Sequence, residues 1–265
     1  MDWIQVVVLA LIQGLTEFLP VSSSAHLILP MQLFGWREQG VAFDVALHIG
    51  TLSAVLWYFR RDCIDMTLAL FRIIGGRRPD AAGQQALFLM IATLPLLPAG
   101  LVLAPYLDDG LRSAAVIATT TVVFGLLLGL ADRRVAQASP VVMTWRMAVL
   151  IGCAQAFALI PGTSRSGVTM TAALFAGLSR VEAARFSFLL SIPAIIASGA
   201  FELLELLKGD VAVDWGQILV GALLAGGCAA LTIHAFLALV ERVGMLPFVI
   251  YRLLLGAILF TFVLF

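Results

Sequence analysis

Apolar residues fill this chain in long blocks with little polar punctuation, and neither strand-like alternation nor a narrow helical stripe describes them. A helix needs about 20 apolar residues to cross about 30 Å of hydrocarbon, and six segments meet that length: 41–59, 86–107, 113–131, 186–201, 215–240 and 247–265. Two further apolar stretches are interrupted. Residues 3–19 end at Pro20 and resume as a short limb, 26–36. Residues 146–160 end at Pro161-Gly162 and resume over 166–178, thirteen residues, or about 20 Å of helix, too short to span. Each interrupted stretch is expected to enter and leave the membrane by one face, because non-helical backbone at that depth survives only where protein or a polar cavity surrounds it. The expected fold is an all-α integral membrane protein, one membrane domain over 1–265. It has six transmembrane helices plus two re-entrant helical hairpins.

Composition agrees with the pattern. The chain is 62% hydrophobic and 12% charged, and its mean hydropathy is +1.05; a soluble domain sits nearer about 25% charged. Sixteen basic and sixteen acidic residues cancel, which leaves no footprint for nucleic acid. Three distant cysteines, Cys63, Cys153 and Cys228, form neither a disulfide framework nor a thiolate metal site. Asp2 and the lack of a basic residue before the first apolar run argue against a signal peptide.

The loops sort by charge. Arg60, Arg61, Arg72, Arg77, Arg78, Arg133, Arg134, Arg146, Arg180, Arg185, Arg242 and Arg252 fall on one side, Arg252 being read as snorkelling to that surface. Asp108, Asp109, Glu202, Glu205, Asp210 and Asp214 fall on the other, with only Arg37, Arg112 and Lys208. The arginine side is expected to be cytoplasmic. The two interrupted stretches also resemble each other: Gln13, Pro20 and the serines after it align with Gln155, Pro161 and Ser164 at an offset near 142. Each half, about 1–135 and 140–265, is then one hairpin plus three spans. An odd number of spans inverts the second half, which places the two breaks face to face near the midplane.

Those breaks carry polar residues that lipid would not tolerate without a function. Glu17 shares a helix face with Gln13. It reads either as an ion-pair partner of Arg165 tying the hairpins together, or as a carboxylate facing a polar pocket as metal ligand or general base. Ser22-Ser23-Ser24-Ala25-His26 reads as a helix cap or, with Ser23 three residues from His26, as an activated nucleophile; a membrane histidine can also be a satisfied structural group. Thr163-Ser164-Arg165-Ser166-Gly167 with Thr169 reads as a helix start with a structural arginine, or as a cradle for phosphate oxygens built from hydroxyls, a guanidinium fork and a helix N-terminus. His48, on one face with Asp44, is a candidate supporting residue.

The segment Gln13-Gly14-Leu15-Thr16-Glu17-Phe18-Leu19-Pro20-Val21-Ser22-Ser23-Ser24-Ala25-His26 resembles the first signature of the undecaprenyl-diphosphate phosphatases, the family linked to bacitracin resistance. Pro161-Gly162-Thr163-Ser164-Arg165-Ser166-Gly167-Val168-Thr169 resembles the second, and Pro247-Phe248-Val249-Ile250-Tyr251-Arg252 is also similar to the family. The resemblance implies a bacterial enzyme of the cytoplasmic (inner) membrane that removes the terminal phosphate of undecaprenyl diphosphate. Its site would open to the outer face, and it would need a divalent cation, Mg²⁺ or Ca²⁺. By motif position it implies catalytic roles for Glu17, Ser23 and His26 and substrate-binding roles for Ser164 and Arg165. Where the signature allows Glu or Gln, this chain has Gln13, so Glu17 is left as the one anionic metal ligand, with Gln13 beside it.

The expected mechanism holds the headgroup on Arg165, Ser164, Thr163, Ser166 and Thr169, with Ser22 and Ser24 nearby. Ser23 attacks phosphorus, His26 serves as its base, and Glu17 orients His26 or binds metal. A water activated by His26, or His26 itself as nucleophile, are the alternatives. The expected partners are the polyprenyl diphosphate lipid and the bilayer; a homodimer is compatible with the sequence. A transporter or flippase is the rival class, since inverted repeats with broken helices also build transporters. It would not need the Ser23, His26 and Glu17 cluster. A membrane scaffold would leave the polar tips unexplained.

Overall fold

In a computed structural model of the chain, the described residues are 1–36, 40–107, 111, 113–135, 141–206 and 214–264. Among the described residues all regular structure is helical: α1 Trp3–Thr16, α2 Ser23–Phe34, α3 Val41–Tyr58, α4 Arg60–Ile74, α5 Ala81–Thr93, α6 Leu96–Leu107, α7 Ala114–Val135, α8 Trp145–Ala156, α9 Arg165–Phe175, α10 Arg180–Leu206, α11 Trp215–Val243 and α12 Leu246–Leu264, with one 3₁₀ turn at Phe157–Leu159.

Five helical stretches are long and apolar enough to cross a membrane: Val41–Tyr58, Ala81–Leu103, Ala114–Val135, Arg180–Ala200 and Trp215–Val243. They match the first five expected spans. The sixth expected span is α12, whose described apolar stretch, Leu246–Thr261, is among the shorter helices, as are Trp3–Thr16 and Trp145–Leu159. Arg37, Asp108, Asp109, Arg112, Lys208 and Asp210 lie outside the described residues.

Close backbone packing organises the bundle. A Cβ on Gly50 of α3 would sit 2.2 Å from the Ala222 carbonyl of α11, so glycine is what lets these two helices touch, as small residues do where apolar tails give no hydrophobic drive to pack. α1 lies along α11, α7 along α12, and α10 against both α3 and α9. Phe18, Phe188 and Phe236 fill the core between them.

Two features differ from expectation. The second span is two helices, α5 and α6, meeting at Leu94-Pro95; proline has no N–H for the helical ladder. Residues 60–74, read above as loop, form the amphipathic helix α4. Met66 and Ala69 turn inward, while Ile64, Leu68, Phe71 and Ile74 are exposed along one face, the form of a helix lying in a membrane interface.

The interruptions of the two hairpins are built alike. Between α1 and α2, and again between α8 and α9, the chain turns through a serine in the left-handed region: Ser22 at φ 75° and Ser164 at φ 70°, the two positive-φ residues other than glycine among those described. Such a residue costs about 1–3 kcal/mol and persists where its surroundings enforce it. Each serine then caps the helix that follows. Ser22 Oγ accepts from Ala25 N–H (3.4 Å) and Ser164 Oγ from Gly167 N–H (3.1 Å).

Candidate active site

The two tips meet inside the bundle. Glu17 closes α1 and is buried; its Oε2 accepts from Gln13 Nε2 at 3.0 Å and from Ser23 Oγ at 2.9 Å. Its Oε1 accepts from Arg165 Nη2 at 2.9 Å. Glu17 and Arg165 are thus the ion pair that one of the two readings foresaw. With side chains 8% and 14% exposed, both charges are largely withdrawn from water, and removing one partner of such a pair costs about 3–5 kcal/mol. Arg165 Nη1 also donates to the Ser187 carbonyl at 3.3 Å.

A cavity of about 210 Å³ opens above this pair, walled by Glu17, Ser22, Ser23, Ser24, His48, Gln155, Ser164 and Arg165, with Leu96, Ala194 and Ile195 on its apolar side. The first turns of α2 and α9 both begin at it. Amides there precede the first intrahelical bonds, His26 N–H to Ser22 and Val168 N–H to Ser164, and helix N-termini attract anions.

Thr163, Ser166 and Thr169, also expected site residues, are not among the lining residues. Ser166 Oγ donates to the Leu19 carbonyl at 2.7 Å, binding one tip to the other. Thr169 Oγ1 is held by the Arg165 carbonyl (2.8 Å) and Ser187 Oγ (2.7 Å). Thr163 Oγ1 is buried without a partner. Ser24 Oγ accepts from Gly162 N–H at 3.4 Å, a second tie between the tips.

His26 is not joined to Ser23. Its Nδ1 donates to the Ser22 carbonyl (2.7 Å), and its Nε2 accepts from the Tyr251 hydroxyl (2.5 Å). A carbonyl can only accept, which fixes this tautomer of the neutral ring. The hydroxyl of Ser23 donates instead to Glu17.

Arg252 corrects the expectation of a snorkelling side chain. It is fully buried, and its guanidinium donates to five carbonyls: Thr121 (3.0 Å), Pro20 (3.3 Å), Thr120 (3.4 Å), Gly162 (3.0 Å) and Thr163 (3.0 Å). The backbone at both breaks leaves carbonyls without helical partners, and an arginine fork supplies five N–H donors at one point. Tyr251 and Arg252 are therefore site-building residues. The sequence signal for Arg252 is an arginine within a continuous apolar run; for both residues it is their place in the family-like segment 247–252. Gly162 also belongs to this arrangement: its φ is 86°, and a Cβ there would lie 2.3 Å from Thr120 Oγ1.

The donors suit a hard cation in kind. They are the Glu17 carboxylate, the Ser23 hydroxyl and Gln13 Oε1, which is buried without a partner. Among the described residues no group of three or more His, Cys, Asp or Glu is assembled, so a divalent ion here would take the rest of its shell from substrate oxygens and water, as Mg²⁺ commonly does.

Taken together these features define a multi-pass helical membrane protein whose polar, anion-receptive cavity is walled by two interrupted helix pairs. The sequence pattern of the family described as bacitracin resistance protein BacA matches residues 6–258, and the chain belongs to that family. It is 54% identical over 261 residues to an undecaprenyl-diphosphatase of Teredinibacter turnerae, covering 98% of this chain and 99% of that one. It is likewise 54% identical to undecaprenyl-diphosphatase 2 of Stutzerimonas stutzeri (98% and 97%) and to an undecaprenyl-diphosphatase of Saccharophagus degradans (99% and 99%).

Proposed function

We propose that this protein is an undecaprenyl-diphosphate phosphatase, cleaving the lipid diphosphate to undecaprenyl phosphate and inorganic phosphate and so returning the carrier to cell-wall synthesis. The observation that carries this reading is the hydroxyl of Ser23 bonded to a carboxylate that is itself paired with Arg165, where two helix N-termini converge in an apolar bundle. Transport alone has no use for a hydroxyl so prepared.

In this reading the terminal phosphate lies on Arg165 and the first-turn amides of α9, and the prenyl tail leaves between helices into lipid. Ser23 Oγ bonds to phosphorus, the bridging P–O bond breaks, and the Ser23 proton passes to Glu17 Oε2. The base is Glu17, because His26 is committed to Ser22 and Tyr251. Water then cleaves the phosphoserine and Glu17 returns the proton to Ser23. Phosphoryl transfer of this kind depends mainly on positioning and charge stabilisation. Glu17 and Gln13 are the residues that would hold an Mg²⁺ or Ca²⁺ ion, whose contribution is to offset the charge of the diphosphate.

The proposal includes the finer topology: six spans, two re-entrant hairpins and an inverted repeat with halves near 1–135 and 140–265. Its support is the matched construction of the two breaks and the arginine bias of one set of loops, even without Arg252. That bias also supports a cytoplasmic membrane location with the cavity open to the outer face. The test is phosphate release from a polyprenyl diphosphate by purified protein in detergent. Ser23→Ala is expected to lower kcat by about 10³-fold or more, and chelation to abolish turnover. A Ser23→Ala protein as active as the parent would overturn the nucleophile.

A further inference from the structure

Hydrolysis of a phosphoserine needs a water held in line with the Ser23–phosphorus bond, and so an acceptor that faces the cavity. Glu17 already accepts from Gln13, Ser23 and Arg165. Both nitrogens of His26 are engaged.

His48 is different. It lines the same cavity as Glu17, Ser23 and Arg165, from α3. Its Nδ1 lies 2.9 Å from the Asp44 carbonyl, which can only accept, so Nδ1 carries the hydrogen and Nε2 of the neutral ring is an acceptor. No described residue bonds to that Nε2.

We propose that His48 is the water-positioning residue of the second half-reaction. The inference rests on the Ser23 phosphoenzyme reading. The water donates one hydrogen to His48 Nε2 and turns a lone pair on phosphorus. The new P–O bond forms as the Ser23 Oγ–P bond breaks; Ser23 recovers its proton from Glu17, and both hydrogens of the water depart on the phosphate. His48 acts here as a hydrogen-bond acceptor and does not keep a proton, so glutamine, which also offers an acceptor, should serve in its place and leucine should not.

The experiment uses the purified full-length protein in detergent and a prenyl diphosphate labelled on its terminal phosphate, with prenyl phosphate and inorganic phosphate followed separately. In His48→Leu we expect one equivalent of prenyl phosphate to be released promptly, labelled phosphate to remain on Ser23 after acid quench, and phosphate release to slow by about 10²-fold, the usual cost of misplacing a reacting group. His48→Gln should recover most of that loss. Should leucine disturb packing, as shown by a lowered thermal midpoint, His48→Met makes the same comparison. His48→Leu releasing both products together at the parent rate overturns the proposal, as does His48→Gln being as slow as His48→Leu. Prenyl phosphate release persisting in Ser23→Ala would instead remove the phosphoenzyme reading, and it is measured without touching His48.

Discussion

The two tips share a backbone and divide the chemistry. Both turn through a left-handed serine, and both open a helix whose N-terminus faces one cavity. The first tip adds a carboxylate, a hydroxyl bonded to it and an imidazole. The second adds a guanidinium and no acid or base. Two turns through a positive-φ serine therefore present helix N-termini to the cavity from both sides, and the carboxylate, its hydroxyl and the imidazole are confined to one of them. The backbone device is used twice, and the side chains distinguish the two tips. The ion pair from Glu17 to Arg165 is where the divided halves are joined.

The sharpest way to break this comparison is to release the shared frame. Arg252 bonds one carbonyl of the first tip and two of the second, so Arg252→Met strands buried carbonyls on both, with the second losing more. Leaving buried acceptors without donors costs about 1–3 kcal/mol each before relaxation, and we expect a loss of about 3–5 kcal/mol, the range for removing a buried charged hub. Unfolding of the purified protein by denaturant measures the total. Hydrogen exchange should show the amides of 160–164 deprotected more than those of 19–23; equal deprotection would mean that the tips are not unequally dependent.

The next largest effect separates charge from geometry at the joint. Arg165→Lys keeps a cation beside Glu17 but loses the fork that reaches Glu17 and the Ser187 carbonyl together. An ammonium is a point charge and does not reproduce bidentate recognition. We expect kcat/KM for phosphate release to fall by about 10²-fold, which corresponds to about 2.7 kcal/mol, with a thermal midpoint near that of the parent. Full activity in the Arg165→Lys protein would mean that the second tip contributes charge alone and that its geometry is incidental.

Much of this was legible in the residues. Pro20 and Pro161-Gly162 mark the breaks because they cannot continue the helical ladder, and ionisable groups next to those breaks mark a polar interior because lipid cannot solvate them. The pairing of Glu17 with Arg165 was one of two readings, and it stands. What could not be read depends on distant segments or on local angles. The hydrogen bond from Tyr251 to His26 joins residues 225 positions apart, and no spacing rule reports it. The proximity of Ser23 to His26 along the chain suggested a direct bond, yet the left-handed turn at Ser22 sends the Ser23 hydroxyl back to Glu17. Arginine in an apolar helix usually reaches for water, which predicts a surface position for Arg252; the carbonyls that hold it inside come from α7 and both tips. Helix α4 carries arginines at both ends, the mark of a loop, while the helical spacing of Ile64, Leu68, Phe71 and Ile74 is the signal of its amphipathic face.

The smallest of these effects bears on what His26 contributes to the first tip. If its work is to fix the turn, holding the Ser22 carbonyl with one nitrogen and α12 with the other, then the Tyr251 hydroxyl matters as a tether. Tyr251→Phe removes that one hydrogen bond and keeps the ring, so the expected loss is about 1 kcal/mol, or about fivefold in kcat/KM. The loss should be uniform across pH, because a tether does not exchange protons with substrate. Were His26 a proton carrier for Ser23, freeing its Nε2 from Tyr251 would change the shape of the pH–rate profile, since the acceptor that titrates would no longer be held by a hydroxyl. A profile of unchanged shape with a lowered plateau assigns His26 to the frame that both tips share and leaves Glu17 and Ser23 as the reactive pair that only the first tip has.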